Sequence, residues 1–430
     1  MKLMLARGVK DIMPEEKILQ DYLQEKIVKT FQKYGFNPLD TPTFERIEVL
    51  SAKFAAGTES DAVKETFKFK DQGERELGLR YDFTVPLARF VGMNPQLKMP
   101  FKRYQIGKIY RDGPVTNSRF REFTQCDVDI VGCKGMIADA EILALTSNVF
   151  KELGLKVVIK VNNRKLLNEL MNQIKLKEEL NSSVLTTIDK LEKIGVKEVE
   201  KELLEKGLGK EQIKKLLEAI KINSLDCDVF KEIERIGLKG EGVTELKELN
   251  DYCKAFKLKD IVIDLSLARG LGYYTGPVFE VFLENGTVKA SLAGGGRFDE
   301  MIGSFLESKQ VIPATGISFG LSVLLTLMKE KEKKTLVDLY VISVGLKEKV
   351  LPIIQELRSK GLKVDFDLNF RGISKGLQIT NSKGITFALI VGEKELSEGK
   401  LKLKDMVSGK EELLDLKEVI ERISIKRNLV

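Results

Sequence analysis

The sequence predicts a mixed α/β protein, in which an α+β unit of hairpin strands and flanking helices precedes a small α/β domain. Three observations predict it. Apolar residues recur at period two within 101–131 and again within 261–283, the mark of strands with one buried face. Between them, from Lys165 to about Leu258, leucines fall at helical spacing among lysines and glutamates. Behind a charge run at 329–334, strand-like and helix-like segments alternate to the end.

A long amphipathic helix opens the chain. After Arg7-Gly8 and Pro14, the residues Leu19, Leu23, Ile27, Phe31 and Tyr34 keep a helical spacing, and Gly35 closes the segment. Glu15 and Glu16 occupy its first turn, where the helix dipole favours acids. FNPLDTPTFERIEVL, with Pro38 and Pro42, reads as extended. From Phe101 the pattern is strand, turn, strand: FKRYQIGKIYRD, the polar loop GPVTNSRFR, then EFTQCDVDIVG, alternating through Cys126, Val128 and Ile130. This hairpin projects Arg111, Arg119 and Arg121. The Lys/Glu-rich stretch that follows is a helical insertion punctuated by Gly195, Gly207 and Gly240, its charges mostly a solvated face with some lysines free for a phosphate backbone. IVIDLSLA from Ile261 and PVFEVFL from Pro277 read as two strands of one sheet, and Asn285-Gly286 is a favoured hairpin pair. Pro313 to Met328 reads as a buried core helix with its lead-in, shorter than the roughly 20 residues a membrane span needs. KEKEKK at 329–334 marks a boundary, LVDLYVISVG restarts as a buried strand, and a final helix runs from Leu414.

Composition narrows the chemistry. A chain of 430 residues, 43% hydrophobic and 31% charged, suits a soluble protein of two or three domains. The net charge of +7 suits nucleic acid without requiring it. Cys126, Cys133, Cys227 and Cys253 form no Cys-x-x-Cys pair, which argues against a zinc site or a disulfide framework and for a reducing cytoplasm. MKLMLARGVKDIMPEEK is broken by charge too early for a secretory signal. The chain contains no histidine, which excludes Ser-His-Asp and Cys-His nucleophiles, imidazole bases and histidine-ligated metals. Carboxylates, arginines, lysines, hydroxyls and the substrate's own groups remain.

Two motifs carry the functional signal. LARGLGYYTGPVFEV, 267–281, sets an arginine, two tyrosines and three glycines where one strand ends and the next begins, so that Arg269 is poised to meet an anion. SLAGGGRFDEMIGSF, 291–305, holds Gly294, Gly295 and Gly296, which let a backbone approach a ligand or strand that a β-carbon would block, with Arg297 and Asp299 beside them. Either motif alone fits an ordinary loop as well as a site. Together they resemble the two histidine-recognition signatures of the histidyl-tRNA synthetases, a family of class II aminoacyl-tRNA synthetases.

The resemblance runs from Arg7 to about Lys417, and LRYDFTVPLAR from Leu79 and REFTQCDVDIVG from Arg121 are similar to the archaeal and eukaryotic branch. It implies a class II antiparallel sheet flanked by helices over 1–328, with the insertion at 165–258, a linker at 329–336 and an anticodon-binding α/β domain at 337–430. It implies a histidine–tRNA ligase that uses ATP, with Mg2+ accompanying the nucleotide, L-histidine and tRNA(His), acting as a cytoplasmic homodimer with no membrane partner and no metal site of its own. Pro42 matches the proline of the first class II motif, at the dimer interface. Arg111 matches the arginine that grips the α-phosphate, Arg119 and Arg121 would meet ATP, and Phe123 would stack on adenine. Arg269 matches the arginine set beside the α-phosphate where other class II enzymes depend on a metal, so Arg269 and Arg111 are the catalytic candidates. Asp82, Thr84, Gln125, Asp129, Tyr273 and Tyr274 are the histidine-binding candidates, although singly a tyrosine is often a core aromatic and an aspartate a satisfied loop carboxylate. The loop from Gly113 to Ser118 is placed for the acceptor end. Adenylate synthesis fits a chain without histidine, because the attacking carboxylate is already ionised.

Several positions depart from the pattern. Gly320-Leu321-Ser322-Val323 replaces Gly-Leu-Glu-Arg, so the purine-stacking arginine is Val323; Gly272 replaces an aspartate, Phe298 a tyrosine and Asp112 a glutamate. The first weakens the expected ATP clamp. It also keeps open a silent paralogue acting as a regulatory subunit of histidine biosynthesis. A threonine, proline or glycine synthetase would share the tail domain but not LARGLGYYTG.

Overall fold

The computed structural model describes residues 2–52, 64–116, 120–225, 227–269, 273–286, 288, 290–305, 310–331 and 333–428. The chain divides into two compact units, 1–10 with 23–326, and 11–22 with 327–430. Among the described residues no helix is long and apolar enough to cross a membrane.

The larger unit is organised by one sheet. Its strands are β1 (Asn37–Pro38), β5 (Phe101–Tyr110), β6 (Glu122–Val131), β7 (Val157–Asn163), β8 (Ile261–Ile263), β9 (Pro277–Leu283), β10 (Ala293–Arg297) and β11 (Ala314–Gly320). The remaining strands, β2 (Phe44–Arg46), β3 (Lys68–Lys70) and β4 (Glu76–Leu79), form a small antiparallel sheet in the order β2-β4-β3. The main order is β1-β5-β6-β11-β10-β9-β7-β8, antiparallel throughout except for β1 on β5 and β8 on β7 at the two edges. Period-two alternation gives it one apolar face. Cys126 and Val128 of β6, Ile317 and Phe319 of β11, Phe279 and Val281 of β9 and Ile159 and Val161 of β7 are all buried there. Phe31, from the helix Pro14–Lys33, and Phe150, from the helix Ile137–Leu153, close on this face with ring centroids 5.7 and 5.8 Å from that of Phe319.

Between Arg164 and Ala255 lie the helices Arg164–Gln173, Glu178–Ile188, Leu191–Glu205, Lys210–Ile220, Val229–Arg235 and Glu241–Ala255. Two of the punctuating glycines have the left-handed backbone that side chains resist: Gly195, φ 81°, breaks the third helix, and Gly207, φ 89°, follows its end.

The smaller unit holds β12 (Leu339–Ser343), β13 (Val364–Phe366), β14 (Phe387–Val391), β15 (Leu401–Asp405) and β16 (Glu411–Leu414), in the order β13-β12-β14-β15-β16. The first three strands of that order run parallel and the last two antiparallel. Every residue of β12 and β14 is buried, as the continuous apolar runs LYVIS and FALIV require for strands covered on both faces.

Four sequence expectations are corrected. The segment FNPLDTPTFERIEVL is not extended to its end, because Ile47–Ala52 is a helix. Pro313 to Met328 is not a helix throughout: Ala314–Gly320 is β11, paired on both sides by β6 and β10, and only Leu321–Leu327 is helical. The strand from Ile261 stops at Ile263, because the Asp264 carboxylate accepts from the Ser266 amide and hydroxyl at 2.9 and 2.6 Å and turns the chain. The last helix begins at Leu416, not Leu414. Asp415 and Glu418 cap it reciprocally through backbone amides at 2.9 and 2.8 Å, and the residues before it pair with β15.

Arg297, beside the glycine run, is a structural group. It is wholly buried, bonded through Nε and Nη2 to Asp139 and through its Nη atoms to the Cys133 and Gly135 carbonyls, each at 3.1 Å. Asp139 also accepts from Thr315 Oγ1 at 2.8 Å, so the pair pins β10 and β11 to the helix Ile137–Leu153. Asp139→Ala would leave the buried guanidinium with Asp299, 3.3 Å from Nη1, as its remaining carboxylate, and unfolding in urea followed by circular dichroism should show a loss of about 3 kcal/mol. A loss below about 1 kcal/mol would mean that water reaches the arginine.

Candidate active site

The second face of the main sheet is polar. Pairing sets Arg103, Asp129, Gly316, Gly296 and Val278 abreast on one rung, and Gln105, Asp127, Ser318, Gly294 and Glu280 abreast on the next. Gly107, Gln125 and Gly320 form a third rung, and Ile109 with Phe123 a fourth. Residues directly opposite in a pleated sheet share a face, so acids, an arginine, amides and glycines line one surface together.

The glycines are small for three different reasons. A β-carbon on Gly294 would lie 1.6 Å from Arg269 Nη1, one on Gly295 would lie 2.0 Å from the Gly316 carbonyl, and one on Gly296 would meet the Tyr274 ring at 2.8 Å. Gly294 therefore seats the Arg269 guanidinium flat against β10. Arg269 itself has φ 38°, a backbone that costs a non-glycine residue of order 1–3 kcal/mol and is held by its surroundings. Its Nη1 lies 3.6 Å from Glu280 Oε1, and its guanidinium 5.8 Å from the Tyr274 ring centroid.

Tyr273 and Tyr274 pack together, centroids 4.5 Å apart, with Phe298 edge-on to Tyr273 at 6.3 Å. Tyr274 is buried against Leu267 and Val278. Burial first, then Tyr274 and the charge of Asp82, push the Tyr273 hydroxyl well above its ordinary value, so it stays a neutral donor. Asp82 accepts from the Val85 amide at 3.0 Å at the start of the helix Thr84–Met93, whose first residue, Thr84, is buried. Asp82 also acts on Asp127 and Asp129, so Asp82, Asp129 and Tyr273 share one neighbourhood. Gln125 stands on the third rung with its Oε1 buried and, among the described residues, without a hydrogen-bond partner.

Asp129 is ion-paired to Arg103 at 2.7 Å, and a β-carbon on Gly316 would collide with its Oδ1 at 2.0 Å. Burial outweighs the arginine and lifts Asp129 to about 6; burial also lifts Asp127, to about 7, against the same arginine. Two carboxylates on adjoining rungs cannot both ionise freely in a dry setting.

At the far end of the hairpin, the Arg111 guanidinium lies over the Tyr81 and Phe123 rings, 4.2 and 5.2 Å from their centroids, and its Nε donates to the Tyr81 carbonyl at 3.4 Å. Arg121 pairs with Asp112 at 3.0 Å and donates to the Gly113 carbonyl at 3.3 Å. Its amide bonds the Gly8 carbonyl at 2.7 Å. Val323, in the helix Leu321–Leu327, is half-buried. Arg119, Ser118 and Gly272 lie outside the described residues. Among the described residues no cluster of three or more His, Cys, Asp or Glu is placed to hold a metal ion.

The reading from sequence missed Arg103, Asp127 and Glu280. Their signal is the polar partner of an alternation noticed only on its apolar side: Arg103, Gln105 and Gly107 on β5 face Asp129, Asp127 and Gln125 on β6.

Comparison with known proteins agrees with this geometry. The family profile described as histidyl-tRNA synthetase matches residues 8–324, and one described as an anticodon binding domain matches 334–426. A histidine–tRNA ligase 1 of Bacillus cereus is 41% identical over 415 residues, covering 96% of this chain and 97% of the relative. The crystal structure of histidyl-tRNA synthetase from Nostoc sp. PCC 7120 superposes with a TM-score of 0.86 at 30% identity, covering 99% of this chain and all of that one. An ATP phosphoribosyltransferase regulatory subunit/histidyl-tRNA synthetase from Bacillus halodurans shares the fold, with a TM-score of 0.74 at 19% identity over 91% of this chain and 99% of that one. With one profile spanning most of the chain and a relative 41% identical along nearly its whole length, the chain belongs to the histidyl-tRNA synthetase family.

Proposed function

We propose that this chain is a histidine–tRNA ligase: it joins L-histidine to ATP as histidyl-adenylate, releasing pyrophosphate, and passes histidine to the 3′ end of tRNA(His), releasing AMP. The observation that carries the reading is the polar sheet face, where an arginine seated on a glycine adjoins a buried pocket of acids, amide and tyrosine. In the first step a histidine carboxylate oxygen forms a bond to the α-phosphorus while the bond to pyrophosphate breaks. Negative charge builds on the phosphoryl oxygens, and Arg269 and Arg111 supply fixed guanidinium groups that need no reorganisation. Arg119 and Arg121 meet the remaining phosphates, Phe123 stacks on adenine, and Mg2+ arrives with ATP as part of the substrate. Asp82, Thr84, Gln125, Asp129, Tyr273 and Tyr274 hold histidine; a wrong amino acid leaves such buried partners unmatched, which supports discrimination of about 10⁴-fold or more.

Residues 1–328 form the catalytic body with the insertion at 165–258, 329–336 are the linker, and 337–430 read the anticodon. The protein works as a cytoplasmic homodimer. Val323 favours a silent paralogue, but Arg111, Arg121 and Arg269 are retained, and a subunit that never meets tRNA has no use for an anticodon module.

Histidine-dependent ATP–pyrophosphate exchange is the deciding assay. Arg269→Ala should slow adenylate formation by ~10²-fold or more, about 3 kcal/mol, with a smaller change in histidine affinity. Lysine should rescue poorly, since a point charge lacks the planar fork. An Arg269→Ala protein that folds and activates histidine at the parent rate would remove the centre of the reading.

Gly294→Ala tests the same group from below. Its new β-carbon must push the guanidinium off β10, so exchange should fall by about the same factor, and the double variant with Arg269→Ala should be no worse than either alone. Additive losses would place the effect of Gly294 elsewhere.

Removal of 337–430 should leave exchange largely intact while tRNA charging falls steeply. Equal loss of both would make the tail part of the catalytic body.

A further inference from the structure

The sheet register brings together charged groups that a stable core does not need. Arg103 on β5 faces Asp129 on β6 across one rung, and Asp127 stands on the adjoining rung beside Gln105 and Ser318. All three charged side chains are buried, Arg103 completely. Arg103 Nη2 lies 2.7 Å from Asp129 Oδ2 and donates to the Phe83 carbonyl at 3.3 Å. Among the described residues its Nε and Nη1 have no hydrogen-bond partner, and neither have Asp127 Oδ1 and Gln125 Oε1.

A guanidinium buried with two of its three nitrogens unmatched weakens a fold, and apolar replacement of such groups is often neutral or stabilising. Arg297 shows the contrast, since all three of its nitrogens are bonded. Stability therefore does not account for Arg103. Charge does: one arginine stands against Asp127, Asp129 and the nearby Asp82, which leaves the pocket negative toward a cation.

We propose that Arg103 is a positioning residue for amino-acid recognition, which touches no substrate but holds the Asp129 carboxylate charged and fixed toward the substrate's ammonium group. The inference rests on the reading of Asp129 as a histidine ligand. The groups facing Asp129 are Arg103 from β5, Asp127 from its own strand and Asp82 from the segment before the helix Thr84–Met93; β11 presents only Gly316. Loss of the guanidinium must make Asp129 harder to ionise, while Asp127, lifted above Asp129, is still protonated as Asp129 titrates, so its replacement by asparagine must leave Asp129 where it is. A merely structural role predicts no shift on loss of the guanidinium.

The test is histidine-dependent ATP–pyrophosphate exchange by the full-length protein across about pH 5–9, with 1/KM for histidine falling on the acid side as Asp129 takes up a proton. Arg103→Met should raise KM for histidine about tenfold at pH 7, change kcat by less than about threefold, and move the acid limb up by about one pH unit. Arg103→Lys should return the limb most of the way, and Asp127→Asn should leave it within about 0.3 unit of the parent. The substrate's imidazole titrates in every variant, and because the chain has no histidine of its own, any imidazole titration seen in the complex belongs to the substrate and can be corrected for. An acid limb that stays in place in Arg103→Met overturns the inference, and so does one that moves as far in Asp127→Asn as in Arg103→Met. Where Arg103→Met fails to fold, Arg103→Gln, which keeps polar donors and loses the charge, decides in its place. A parent protein without histidine-dependent exchange fails at the proposed activity itself and takes this inference with it.

Discussion

The pleat of the main sheet is the constraint on which the larger unit depends. Successive side chains must point to opposite faces, so a single register decides both what is packed and what is presented. With Cys126, Val128, Ile317 and Phe319 turned toward Phe31 and Phe150, the residues Gln125, Asp127, Asp129 and Ser318 have no choice but the other side. A slip of one residue between β6 and β11 would bury the acids among aromatic rings and expose the core. The apolar face thus fixes the site without touching it.

Two completely buried arginines show how the same side chain can serve opposite ends. Arg297 meets Asp139 and two carbonyls, and it joins strands to a helix in a network with no spare donor. Arg103 meets one carboxylate and one carbonyl weakly, beside acceptors that are also unfilled among the described residues. In a low-dielectric setting the first arrangement stabilises because it is complete, and the second is tolerable only where a ligand or a nearby charge completes it. Satisfaction of the donors, not burial, separates the structural cation from the one placed at the pocket.

Much of this was legible in the sequence, and the limits have physical causes. The hairpin of β5 and β6 was visible because Cys126, Val128 and Ile130 alternate, and the tail sheet because LYVIS and FALIV are unbroken. β11 was not, because Ala314 to Gly320 mixes small and apolar residues whose strand state is imposed by partners on both sides. Arg269 and the glycine run were legible as motifs, but their contact was not: that Gly294 is small to seat Arg269 depends on residues 25 positions apart meeting across a turn. Arg103 and Asp127 escaped because neither belongs to a motif, and only the register makes them neighbours.

The end of the hairpin carries the same logic into the proposed nucleotide site. Arg111 already rests on the Phe123 ring, and Arg121 is already paired with Asp112. If Phe123 is the adenine platform on the face that Arg111 covers, the purine must displace the guanidinium, giving up a contact worth about 0.5–2 kcal/mol. The guanidinium is freed at the moment a phosphate is there to receive it, and Arg121 can exchange Asp112 for phosphate in the same way. Binding is then an exchange of partners in which no buried charge is left bare. Under the proposed roles, such an exchange would give a chain with Val323 in place of a stacking arginine another route to order its nucleotide: the phosphates would draw Arg111 away, and the ring it uncovers would take the base.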